Sequence, residues 1–219
     1  MDIFEQISNA VINGDDEATL AQTRQALEHG LPPKQILDEG LIAGMDIVGQ
    51  RFKAHEIFLP DVLLAAKAMY AGLDQLKPLL VKEGIPSLGK VVLGTVRGDL
   101  HDIGKNLVGI MLRGAGFEVI DLGNDVPPER FVDAAVQHGA TVIGMSALLT
   151  TTMTSMKTVV DLVRERGLAG KVRTIVGGAP VSGEFAREIG ADAHGYDAAN
   201  AVDGVKALMS EPRGASPRT

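Results

Sequence analysis

The sequence predicts an α/β protein with a helical first part, and two observations carry that prediction. Up to about Val81 the apolar residues recur three and four positions apart, which is the helical period. After Lys90 they fall into short β-branched runs separated by amphipathic stretches, as in a parallel sheet built by right-handed crossovers. At 219 residues the chain has room for one full domain and a smaller helical one.

The helical part reads Ile3, Ile7, Val11, then Leu20 and Leu27, then Ile36, Leu37, Leu41, Met45, Val48 and Phe52. Breaks at Asn13-Gly14-Asp15, Gly30-Leu31-Pro32-Pro33 and Leu59-Pro60 divide it into four or five antiparallel helices with short loops. This gives a helical domain over 1–85, with a linker at 82–89. The second part places strands at 91–95, 118–123, 141–146, 173–178 and 193–196, within a domain over 90–210. A sheet of this size suits the flavodoxin-like (Rossmann-like) doubly wound order, whose ligands bind outside the carboxyl ends of the strands at the point where the order reverses. Residues 211–219 are rich in Pro, Ser and Arg and lack apolar content, which predicts a disordered tail.

Composition excludes several function classes. No apolar run approaches the roughly 18 residues of a membrane helix, and the acidic start does not read as a signal peptide, so a cytoplasmic protein is expected. The formal charge of −7 argues against a nucleic-acid partner. The absence of cysteine removes disulfides, thiolate metal sites and cysteine nucleophiles.

The turn after the first strand reads Gly98-Asp99-Leu100-His101-Asp102-Ile103-Gly104-Lys105-Asn106. It puts a histidine between two carboxylates where the fold presents ligands. Neutral imidazole is a good transition-metal ligand, and a carboxylate on its other nitrogen fixes the tautomer; Asp99 is the expected partner. The same residues also fit an ordinary loop histidine, with Asp102 capping a helix that begins at Ile103. The remaining strand ends add specificity. Gly104 is followed after 41 residues by Ser146-Ala147-Leu148, and Leu148 after 28 residues by Gly177-Gly178. Gly98, Gly144, Ser146, Gly177 and Gly178 put little or no side chain at these strand ends, and Ser146 and Thr150 carry hydroxyls able to bond a ligand.

With this Asp-x-His-x-x-Gly, Ser-x-Leu and Gly-Gly spacing, the chain resembles the cobalamin-binding domains of the methionine synthase type. The resemblance implies a corrinoid cofactor (cobalamin, methylcobalamin in its loaded form), with His101 as the lower axial ligand of cobalt. It also implies a relay from His101 through Asp99 to a hydroxyl, which by position is Thr152. Residues 44–69 resemble the helical cap of the same family, so Phe52, Leu59 and Val62 are expected to face the upper, methyl side of the cofactor. A dry and movable lid is expected there, because a metal-bound methyl group is reactive toward solvent. His29, His138 and His194 lack partners at useful spacing, and His55 with Glu56 reads as a solvated pair.

The resemblance covers nearly the whole chain and looks like the stand-alone corrinoid proteins that serve methanol, methylamine, betaine or methoxyaromatic methyltransferases. The role this implies is a methyl carrier, not catalytic alone. It would take a methyl group from a substrate-specific methyltransferase and give it to a second one acting on a tetrahydropterin, tetrahydrofolate or a thiol, with a reductive activating protein to recover oxidised cofactor. The alternative is a cobalamin sensor or storage module. Light-sensing repressors of that kind carry a basic DNA-binding helix-turn-helix and a Trp in the cap, and this acidic chain contains no Trp.

Overall fold

The computed structural model describes residues 1–84 and 86–210; the expected disordered tail, 211–219, lies outside the described residues. The chain divides into two compact units, one formed by Met1–Ser87 with Gly114–Gly116 and the other by Leu88–Arg113 with Phe117 onward.

In the first unit, α1 (Ile3–Ile12) starts at Asp2, whose carboxylate accepts from Glu5 N–H while Glu5 bonds back to Asp2 N–H, so two otherwise orphaned donors are satisfied. Asp15 caps α2 (Asp16–Glu28) in the same way through Ala18 N–H at 2.9 Å. The predicted helix beyond Pro33 is one continuous rod of three parts. These are α3 (Pro33–Gln35), a π-helical stretch (Ile36–Ile42) and α4 (Ala43–Lys53). Periodicity predicted the rod but not the π-helical winding. Gly40 and Gly44 let it approach α1 closely, since a Cβ on either would come within 2.9 Å of Ile7 or Val11. The expected break at Leu59-Pro60 is the start of α5 (Leu59–Lys82), where Asp61 accepts from Phe58 N–H at 2.8 Å.

In the second unit five parallel strands are arranged in the order β2-β1-β3-β4-β5, the doubly wound order expected from the sequence. They are β1 (Lys90–Thr95), β2 (Glu118–Asp121), β3 (Val142–Ser146), β4 (Arg173–Gly177) and β5 (Ala193–Gly195). The helices between and after them are α6 (Ile103–Gly114), α7 (Pro128–His138), α8 (Thr154–Glu165), α9 (Gly183–Ile189) and α10 (Ala198–Ser210). Strand alternation splits the apolar residues between two faces. Val92, Ile143, Met145 and Val176 join a buried cluster with Phe131 and Val132 of α7 and Met156, Val159 and Val160 of α8. On the opposite face Gly109 of α6 approaches Leu93, and Gly204 of α10 approaches Ile175. Register pairs Thr95 with Ser146 and Ser146 with Gly177, so the three predicted strand ends finish side by side. Among the described residues no helix is long and apolar enough to cross a membrane.

Candidate functional site

The strand order reverses between β1 and β3, and the loops that leave those two strands are tied together by one carboxylate. Asp99 is fully buried. Its Oδ1 accepts from His101 N–H at 3.1 Å and lies 2.8 Å from His101 Nδ1. Its Oδ2 accepts from Leu148 N–H at 2.8 Å, Leu149 N–H at 3.1 Å and the Thr152 hydroxyl at 2.8 Å. The structure therefore brings together His101, Asp99 and Thr152 in the order the sequence anticipated, and adds two backbone donors that it did not.

Burial by itself raises the pKa of Asp99, yet the carboxyl is held well below the usual carboxylate range. Hydrogen bonds from Leu148 N–H, the His101 ring, His101 N–H and Thr152 all favour the charged form and outweigh desolvation. A depressed folded-state value gives stability that is complete above the unfolded pKa of about 3.9 and is lost as pH falls toward the folded value. Acid titration of the apoprotein, followed by circular dichroism, should therefore show a loss of stability beginning near pH 4 and continuing below it. Asp99→Asn should lack that part of the slope.

With Nδ1 engaged by Asp99, a neutral His101 leaves Nε2 as the nitrogen with a free lone pair. The side chain of His101 is 52% exposed. Around it stand exposed apolar residues, Leu100, Ile103 at 77% exposure, Leu148 and Leu149. Such a patch on a strand-end surface marks a candidate ligand or partner surface. Asp102 is half-buried, and its carbonyl accepts the first helical bond from Asn106 N–H at 2.7 Å, so it stands at the entrance of α6 as expected. Gly104 faces open space, with nothing within 4 Å of the position a Cβ would take. Among the described residues no three His, Cys, Asp or Glu cluster to hold a bare ion.

The other anticipated positions are placed as follows. Ser146 ends β3 and Gly177 ends β4, where a Cβ would lie 2.7 Å from the Gly195 carbonyl oxygen. Gly178 has φ +128°, and a Cβ there would fall 1.9 Å from the Ala147 carbonyl oxygen, so no other residue fits without moving backbone. Thr150 is exposed in the loop after β3, and Gly98 lies against the Thr152 methyl group. In the helical unit Phe52 is half-buried and Leu59 exposed. Val62, the third of these positions, lies in α5. It is fully buried, because the helical period places it on the inward stripe of α5 with Ala65, Ala66 and Met69. The apolar side chains exposed by this stretch are Phe58, Leu59, Leu63 and Leu64.

Three further groups were not anticipated. Lys105, buried in the first turn of α6, places Nζ 2.7 Å from both oxygens of Asp121 at the end of β2, and Asp121 Oδ1 also accepts from Gly123 N–H at 2.9 Å. Burial raises the Asp121 carboxyl, and the Lys105 hydrogen bond and Gly123 N–H more than reverse this, leaving it below the ordinary range. The GKN run after His101 was a visible signal for Lys105, whereas Thr95 and Asp125 carried none. His194 serves structure: its Nε2 lies 2.9 Å from the Val181 carbonyl.

Comparison with known proteins shows the family of the chain. Two family models, both described as B12 binding domain, match residues 89–204 and 3–77. A corrinoid protein of Desulfitobacterium hafniense is 42% identical over 96% of this chain and 99% of its own length. The trimethylamine corrinoid protein 1 of Methanosarcina mazei is 42% identical over 95% of this chain and 97% of its own. Among solved structures, a chain of the methanol:cobalamin methyltransferase complex MtaBC from Methanosarcina barkeri superposes with a TM-score of 0.85 at 32% identity, covering 96% of this chain and 81% of that one. A cobalamin-binding protein from Desulfitobacterium hafniense superposes with a TM-score of 0.79 at 33% identity, covering 95% and 98%.

Proposed function

The chain belongs to the B12-binding family of corrinoid proteins, and from that premise we propose that it carries a methyl group on a bound corrinoid between methyltransferases. The observation that carries the reading is the buried Asp99 holding the Nδ1 side of an exposed His101 ring, with the Thr152 hydroxyl on the other carboxylate oxygen. When bound, the corrinoid supplies a cobalt centre able to accept and release a methyl group.

The protein's own residues have separable tasks. His101 Nε2 would hold the metal. Asp99 keeps the proton on Nδ1, which orients the ring and raises the basicity of Nε2. Thr152 Oγ1 is also 2.8 Å from the Leu149 carbonyl, so its single proton can point to either acceptor and the hydrogen bonding to Asp99 can vary. Leu100, Ile103, Leu148 and the bare surface at Gly104 would seat the ring, while Ser146, Thr150, Gly177 and Gly178 would line the path of its nucleotide tail. By the family resemblance, Phe52, Leu59 and Val62 of the helical unit would supply apolar side chains that shield the methyl group, and Phe58 exposes a further one.

Likeness to a chain of the methanol:cobalamin methyltransferase complex supports a methyltransferase as the donor's partner. A second methyltransferase for the acceptor, a reductive activating protein and a cytoplasmic location complete the proposal.

Anaerobic incubation of the reduced holoprotein with labelled methyl donors and their methyltransferases tests it. Label should be recovered on the protein in a form released by light. Failure of every donor and methyltransferase pair to load the protein would count against the carrier. Gly104→Ala separates seating from folding. It should leave the apoprotein as stable or up to about 1 kcal/mol more stable, since alanine is the better helix former. It should also weaken corrinoid retention roughly tenfold through the intruding methyl group. Equal retention by the two proteins would remove Gly104 from the seat.

A further inference from the structure

The side chain of His101 is fixed by Asp99, but its backbone has supports that the carrier reading does not use. Thr95, the last residue of β1, is fully buried and donates its hydroxyl to the His101 carbonyl at 3.0 Å. Across the loop, Asp125 bonds the same segment in both directions. Its Oδ1 accepts from Gly98 N–H at 2.7 Å, and its own N–H donates to the Asp99 carbonyl at 3.0 Å.

Asp125 reaches both partners from a left-handed conformation, φ 51°, which among the described non-glycine residues is shared only with His55. L-residues adopt this conformation at a cost, and aspartate and asparagine tolerate it better than most. The loop that carries Asp125 is itself anchored to Thr95. Thr95 N–H donates to the Gly123 carbonyl at 2.9 Å, and Val126 N–H donates to the Thr95 carbonyl at 3.0 Å. Asp121, held by Lys105, fixes the entry to that loop through Gly123 N–H. Thr95 thus joins two loops: its backbone holds the one bearing Asp125, and its side chain holds the one bearing His101.

We propose that Thr95 and Asp125 are positioning residues for His101, acting on the backbone of residues 98–101 to set where the imidazole can meet the metal of a bound corrinoid. This rests on His101 being the axial ligand. A coordinate bond of fixed length is sensitive to displacements of about half an ångström, and the groups that hold a ligand in place are worth roughly 10- to 100-fold in metal affinity. Neither residue needs to touch the cofactor for this effect.

The test uses the holoprotein with cobalt in its divalent state, where electron paramagnetic resonance distinguishes nitrogen-ligated from unligated metal. Thr95→Val keeps the shape of the side chain and removes the donor. Asp125→Gly relieves the left-handed strain and removes the acceptor. Each should lower the ratio of His101-ligated to unligated cobalt roughly three- to tenfold, the scale of one lost hydrogen bond. Thr95→Ser and Asp125→Asn keep donor and acceptor and should stay within about twofold of wild type. Wild-type ratios in Thr95→Val and Asp125→Gly, with ligation abolished in His101→Ala, would overturn this proposal and leave the axial reading standing. An equal loss in all four variants, with a lowered apoprotein melting temperature, would also overturn it, because the effect would then be general unfolding of the loop. Unchanged ligation in His101→Ala would overturn the axial reading beneath it.

Discussion

Asp99→Ala is expected to destabilise the apoprotein by roughly 3 to 5 kcal/mol, more than any other single change at the site, because it orphans donors on both sides of the switch point. Those donors are His101 N–H, Leu148 N–H and Leu149 N–H, whereas the Thr152 hydroxyl keeps the Leu149 carbonyl as an acceptor and the exposed His101 ring can turn to water. Each buried donor left without a partner costs about 1 to 3 kcal/mol, and water entering the space vacated by the carboxylate offsets part of the sum. Asp99→Asn preserves the volume but turns an amide group toward donors, so it should recover only a fraction of the loss. Chemical denaturation of the three apoproteins measures this. A loss below about 1 kcal/mol in Asp99→Ala would mean that the two loops do not depend on this carboxylate.

Gly178→Ala should have a comparable effect through sterics alone. A Cβ placed 1.9 Å from the Ala147 carbonyl oxygen cannot be accommodated by a rotamer change, because the obstacle is backbone and alanine has no rotamer to change. The cost of φ +128° in a residue with a side chain is added to this, for a total of roughly 3 kcal/mol or more. Ala147 N–H donates to the Gly177 carbonyl at 3.2 Å, so the displacement should spread into the pairing of β3 with β4. Hydrogen exchange at residues 146–148 and 176–178 should accelerate in the variant. Wild-type protection there would show that the loop absorbs the extra atom elsewhere.

The fold was legible because the apolar period changes from helical to strand-like at Lys90, and the observed strands begin or end within a residue or two of the predicted ones. Asp99 was legible as the partner of His101 because the two are close in sequence and a ligating imidazole needs an acceptor on its other nitrogen. Thr152 was reached through a family resemblance alone, since nothing local separates it from Thr150 and Thr151. Thr95 and Asp125 could not be read from the sequence, as their importance lies in bonds between two loops that meet only once the sheet forms. The π-helical winding over Ile36–Ile42 was hidden because its apolar spacing over one turn resembles that of an α-helix. The burial of Val62 was hidden for a related reason. The residues flanking Leu59-Pro60 were read from a motif, while the buried stripe is set by the phase of α5 as a whole.

We propose that His101 supplies a nitrogen ligand to the cobalt of a bound corrinoid in place of the cofactor's own base. Isotope labelling tests it most directly. Protein grown on 15N and loaded with unlabelled corrinoid is reduced to the divalent state, and its electron paramagnetic resonance spectrum is recorded. Nitrogen splitting in doublets, from a 15N nucleus of the protein, is the predicted result. Triplets from 14N, belonging to the cofactor's base, or the absence of nitrogen splitting, would contradict it.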